Sequence, residues 1–158
     1  MTLYHASQQK NLKVLLPQPT KSNNKYIGDY LFATKNFNLA LMYLTPKGIP
    51  ILMEPYDDPN IVICSDVKSF KNLDNGGGVY SILSKNFMKT PQKDLSNYEM
   101  VSTAEVKPLK PKIFDSVLDA LISADIKVRF VNSNLFKKLI KNPEQKELIS
   151  KLPIYKPE

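Results

Sequence analysis

A lone cysteine, Cys64, leaves this chain without an internal disulfide and without any zinc site of the multi-cysteine kind. A lone histidine, His5, means that a transition-metal site would need carboxylates grouped at ligand spacing, and the sequence shows no such group. Arginine is as scarce: Arg129 stands alone among the cationic residues. Arginine is the usual reader of guanine edges and the usual bidentate phosphate clamp, so sequence-specific DNA reading is not expected. No apolar run reaches the roughly 18–20 residues of a membrane-spanning helix. The opening residues also lack the basic-then-apolar pattern of a secretory signal. These absences together lead us to expect a cytoplasmic protein with no membrane association.

What is present fits a globular chain. Its 158 residues are 42% hydrophobic and 23% charged, enough to bury a core, and no linker divides them. One domain over 1–158 is the expectation. The net charge of +7 is carried almost wholly by lysine. Lysines make a solvated surface, and they also attract polyanions.

Residues 2–7 read as a strand, followed by the loop "NLKVLLPQPTKSNNKYIGD". "YLFAT", 30–34, reads as a strand and "NFNLALMYL", 36–44, as a helix. Asn36 serves as its N-cap, and Phe37, Ala40, Leu41 and Leu44 recur at helical spacing. "NIVICSD", "GGGVYSIL" and the alternating "EMVSTAEV" read as strands. "DSVLDALISAD" is an amphipathic helix, "IKVRFV" a strand, and 131–158 a basic helical tail broken near Pro143. Strands cluster rather than alternate with helices. The fold class expected is therefore α+β, with a largely antiparallel or split sheet and flanking helices.

Three segments carry residues that packing alone does not require. In "LYHAS", His5 sits in a short apolar strand, where it either lines a cleft or is a surface or satisfied core histidine. In "GDYLFATKNFNLALMYL", Tyr30 and Tyr43 bracket a strand–helix unit and can sandwich a planar ring. In "SNYEMVSTAEV", Glu99 opens a strand beside Tyr98, where a carboxylate can accept from a hydroxyl or stabilise a developing cation. Glu105, farther along, competes with it. "DNGGGVY" lacks the spacing and the Lys-Ser/Thr ending of a phosphate loop and reads as a hairpin turn. No serine lies in a nucleophile-elbow context.

In this order the three segments resemble the motifs of the ADP-ribosyltransferase superfamily, in its poly(ADP-ribose) polymerase/diphtheria-toxin-like His-Tyr-Glu branch. "LYHAS" resembles the first motif, "GDYLFATKNFNLALMYL" the second and "NYEMVSTAEV" the third. The Arg-Ser-Glu branch needs an arginine in its first strand, and the RNA 2′-phosphotransferases use several; this chain has neither. The resemblance implies an NAD-binding fold that cleaves the bond between nicotinamide and ribose and transfers ADP-ribose to a macromolecule. By that resemblance, His5 would bond a ribose hydroxyl, the backbone of Ala6 would hold the nicotinamide amide, and Ser7 would support the adenosine side. Tyr30 would line the nicotinamide pocket and Tyr43 would stack on the ring. Glu99 would bond the nicotinamide-ribose 2′-hydroxyl. NAD would be a substrate, with no metal, and the lysine-rich surface suggests an acidic protein or a nucleic acid as target. Ala6 replaces the family's glycine and Leu39 its helix serine. Leu31 competes with Tyr30, and Met42 with Tyr43, for the tyrosine places. A degenerate module of the same fold that binds NAD, ADP-ribose or nucleic acid without catalysis is the alternative.

Overall fold

A computed structural model describes residues 1–90 and 98–158. Two sheets and five α-helices are formed among these residues, and nearly all strand pairings are antiparallel. The larger sheet contains β1 (Thr2–Ser7), β2 (Gln18–Ser22), β3 (Lys25–Thr34), β6 (Gly77–Leu83), β7 (Met88–Lys89), β8 (Glu99–Ser102) and β9 (Lys112–Phe114). Its order is β7-β8-β3-β1-β6-β9, with β2 added to β3. The smaller sheet runs β10 (Lys127–Val131), β5 (Asn60–Cys64), β4 (Ile51–Glu54), and β10 pairs with β5 in parallel. No helix of the described residues is long and apolar enough to cross a membrane.

The segment read as a loop before Tyr30 is in part a hairpin. Asn23 and Asn24 both adopt left-handed φ, 49° and 63°. Asparagine tolerates that conformation, and two such residues in succession match the right-handed twist of the flanking strands. The ladder therefore closes at Ser22↔Lys25, and β3 begins at Lys25 rather than Tyr30. "EMVSTAEV" is shorter than its alternation implied. The Ser102 hydroxyl bonds both the amide and the carbonyl of Ala104, and this local turn ends the strand. Val106 instead bridges Leu15. The pattern also missed β4, β9 and α2 (Val67–Leu73), elements of seven residues or fewer.

α1 (Phe37–Met42) begins as expected, with Asn36 Oδ1 accepting from the Leu39 amide at 3.0 Å. It buries Ala40, Leu41 and Met42 against α3 (Val117–Ser123) and one face of the larger sheet. The opposite face of that sheet packs Leu3, Leu31, Ala33, Tyr80 and Ile82. The C-terminal segment packs on the smaller sheet. α4 (Ser133–Ile140) and α5 (Gln145–Ser150) bury Phe136, Leu139 and Ile149 against Val62 and Val131. Beyond them the Tyr155 amide bonds the Val128 carbonyl at 2.7 Å.

Candidate functional site

The site is built where the ladder between β1 and β3 stops. β1 pairs with β6 along its whole length, from Thr2↔Leu83 to Ser7↔Gly78. With β3 it pairs at one position, Tyr4↔Thr34. Past that point the β3-side edge of Ala6 and Ser7 has no strand partner among the described residues, so its backbone groups border a cleft. His5 lies at the fork. Its Nδ1 donates to the Phe32 carbonyl of β3 at 2.7 Å, replacing a missing ladder bond by a side-chain one. A carbonyl only accepts, so Nδ1 carries the proton and Nε2 retains its lone pair. Burial pushes the imidazole pKa below its ordinary value, against the raising effect of the Phe32 bond, which favours the neutral ring at neutral pH.

Glu99 borders the smaller cleft from the α1 side of the sheet, the face opposite to that of His5 and its register partner Tyr80. It opens β8 opposite Thr34, which in turn lies opposite Tyr4, so the three share one face of the sheet. α1 crosses that face and ends at Tyr43, its C-cap. The Tyr43 hydroxyl is directed to the Glu99 carboxylate. Burial pushes the Glu99 carboxyl above the ordinary glutamate range, and the tyrosine hydroxyl pulls it part of the way back. Burial, and then the glutamate's charge, pushes the Tyr43 phenol far above its ordinary value, which keeps it a donor.

Two connected clefts result. A smaller one, about 210 Å³, is lined by His5, Ala6, Thr34, Tyr43 and Glu99 among others. A larger one, about 730 Å³, shares His5, Ala6, Phe32 and Tyr43 with it and extends along Ser7, Tyr30 and the β2–β3 hairpin. Small-molecule sites run to about 300–1,000 Å³, so the larger cleft is of ligand size.

No protein-family model, curated protein or solved structure matches this chain.

The geometry sorts the candidates. His5, Ala6, Tyr43 and Glu99 come together around the smaller cleft. Ser7 and Tyr30 line the larger cleft only. Tyr30 and Leu31 both line it, Tyr30 beside Phe32 with their rings 6.3 Å apart and Leu31 as a core residue only 2% exposed. Met42 is buried and lines neither cleft, whereas Tyr43 is 39% exposed and lines both, so of that pair the tyrosine occupies the cleft. Leu39 is a core residue. Glu105 lies beyond β8 on an exposed segment and lines neither cleft, which removes it as a rival to Glu99. Ser96 and Asn97 of "SNYEMVSTAEV" lie outside the described residues.

Sequence reasoning missed several lining residues. Tyr80 is fully buried, yet its hydroxyl donates to the Gln9 carbonyl at 2.8 Å and accepts from the Leu12 amide at 2.9 Å. It thereby holds the segment that walls the larger cleft, a role with no local signature. Lys21 and Lys47 stand in that wall too. Nothing in the sequence distinguishes them from the other lysines. No group of three or more metal-ligating side chains occurs among the described residues.

Proposed function

We propose that this chain is an NAD-dependent ADP-ribosyltransferase-like protein that transfers ADP-ribose from NAD to a macromolecular target. The observation that carries the reading is the convergence of His5, Tyr43 and Glu99, from three separate strands and helices, on one cleft. The chemistry follows from their states. His5 Nε2, as an acceptor, takes a ribose hydroxyl proton in a hydrogen bond. The unpaired edge of β1 at Ala6 offers backbone groups to the nicotinamide carboxamide. Tyr43, partly exposed, supplies a ring face for stacking. Glu99 accepts from the nicotinamide-ribose 2′-hydroxyl, and its negative charge favours the positive charge that builds on the ribose as the glycosidic bond lengthens.

In this reaction the bond from the ribose C1′ to the pyridinium nitrogen breaks. Its electron pair leaves with nicotinamide, which departs neutral. A nucleophilic oxygen or nitrogen of the target bonds C1′ and gives up its proton to solvent or to a basic group. Lys21 and Lys47 place positive charge along the larger cleft, suited to the diphosphate of the dinucleotide.

The test is nicotinamide release from NAD. The wild type should release nicotinamide, and Glu99→Gln should lower kcat by about 10²–10³, the usual cost of removing one electrostatic stabiliser. Equal release by both proteins would remove Glu99 from the mechanism. A second reading, binding without turnover, is favoured by Ala6, which lines both clefts and stands where the family it resembles has glycine. Calorimetric NAD binding without nicotinamide release would select it. Absence of NAD binding would end both readings.

A further inference from the structure

Glu99 sits where a strand is easiest to open. It is the first residue of β8, a strand of four residues, and its rung with Thr34 is the end of the β3–β8 ladder. Terminal rungs open at little cost, because few contacts lie beyond them. The Tyr43 hydroxyl, at the C-cap of α1, meets the carboxylate. That bond holds the tip of the side chain and leaves the backbone behind it to other contacts.

The backbone is held from the other end of the same helix. Tyr98, the residue before Glu99, packs its ring against that of Tyr56, the centroids 4.9 Å apart and the planes at 51°. The Tyr56 hydroxyl shares a hydrogen bond with the side chain of Asn36, the N-cap of α1. Asn36 is itself tightly fixed. Its Oδ1 accepts from the Leu39 amide at 3.0 Å, and its Nδ2 donates to the Pro55 carbonyl at 3.3 Å. Its own amide donates to the Thr34 hydroxyl at 3.1 Å, and Thr34 is the rung partner of Glu99. Contacts running through Thr34, Asn36, Tyr56, Tyr98 and Glu99 therefore close on the rung where they start. α1 has six residues, about 9 Å, so one short element braces Glu99 from both ends.

Core packing does not account for the tyrosine pair. Tyr56 is 37% exposed and Tyr98 52%, and neither lines either cleft. What the pair does is tie the turn after β4 to the entrance of β8.

We propose that Tyr56 and Tyr98 are positioning residues for Glu99: their stacked rings, anchored on Asn36, clamp the entrance of β8 and keep the carboxylate in the cleft beside Tyr43. The catalytic consequence rests on the NAD reading; the clamp itself is read without NAD.

The experiment has two arms, both on the full chain. In the first, the Glu99 carboxyl is titrated by ¹³C NMR without NAD, its signal identified by its loss in Glu99→Gln. Tyr4, His5 and Tyr43 are the other titratable groups bordering the smaller cleft, and they stay unchanged throughout. The wild-type carboxyl should titrate above the ordinary glutamate range. Tyr98→Ala and Tyr56→Ala should bring it back toward that range. Burial is the larger influence on Glu99, so freeing the carboxyl to water lowers its pKa more than losing the Tyr43 bond raises it. Tyr98→Phe keeps the ring and should titrate as the wild type does. In the second arm, the two alanine variants should lower nicotinamide-release kcat about tenfold, with KM for NAD changed less than about threefold. Tyr98→Phe should restore kcat. Should one alanine variant fail to fold, the other decides. An unmoved Glu99 titration in the folded alanine variants, or a Tyr98→Phe that behaves as Tyr98→Ala, would overturn the clamp. Unchanged kcat beside a moved titration would overturn its role in catalysis. A wild type that releases no nicotinamide would count against turnover of NAD, and the titration would then decide the clamp alone.

Discussion

The pair Tyr43–Glu99 shows how one hydroxyl sets the working range of a carboxylate. Burial holds the Glu99 carboxyl above its usual range, and the Tyr43 hydroxyl opposes that shift by bonding the charged form. Tyr43→Phe removes the opposing effect, so the pKa of Glu99 should rise further. If ionised Glu99 is required, the acidic limb of the nicotinamide-release profile should move to higher pH in Tyr43→Phe. At high pH, where Glu99 is ionised in both proteins, the loss should be smaller. A pH–rate profile of the two proteins reads this directly; coincident limbs would show that Tyr43 does not act through Glu99. At this scale the residue types were legible. A histidine in an apolar strand and a glutamate at a strand entrance can be picked out from residue type and local pattern. Their partners were not, because Phe32 O and Glu99 are brought to His5 and Tyr43 by strand pairing between distant segments.

At the scale of elements, the β2–β3 hairpin decides the shape of the larger cleft, since Pro19, Thr20 and Lys21 of β2 line it. Its turn depends on Asn24 holding φ at 63°. A β-branched residue is strained there, by about 1–2 kcal/mol. Asn24→Val should therefore lower stability by about that amount in urea denaturation. It should also raise the Kd for NAD, with nicotinamide-release kcat less affected, because Glu99 lies on β8 outside the hairpin. Helices with a marked apolar face were legible, whereas α2 was not. Asn36 and Ser116 each cap a helix with a side-chain oxygen and stand immediately before an apolar run. The hairpin was hidden because β2 carries a proline and a lysine and no alternating hydrophobics, and the turn relies on two asparagines rather than on glycine.

For the whole molecule, one carboxylate joins parts of the core that are distant in sequence. Asp74 ends α2 and accepts from the Val117 and Leu118 amides of α3 at 2.8 and 3.0 Å. It also accepts from the Ser116 hydroxyl and the Gly76 amide, each at 3.0 Å. The carboxylate thus satisfies orphan donors at the start of α3 and holds the turn into β6, where Gly76 has φ 70° and no room for a side chain beside Phe114 and Asp115. Asp74→Ala should cost about 2–4 kcal/mol in chemical denaturation, more than a single neutral hydrogen bond. A loss below about 1 kcal/mol would mean that water replaces the carboxylate without penalty.

By itself the sequence determined the class of the protein. Its periodicities select helices and strands, its clustered strands select a mostly antiparallel α+β arrangement, and its lone His5, Tyr30, Tyr43 and Glu99 mark where chemistry could lie. Those features are local, set by side-chain size, polarity and the two backbone periods. Only the tertiary structure decided which copies of each residue type share a cleft. Register placed Glu99, Thr34 and Tyr4 on one face, while the early end of the β1–β3 ladder opened the gap that His5 spans. Packing then buried Met42 and left Tyr43 exposed at the cleft. Such choices depend on contacts between distant segments, whose energies are written into no single stretch of chain.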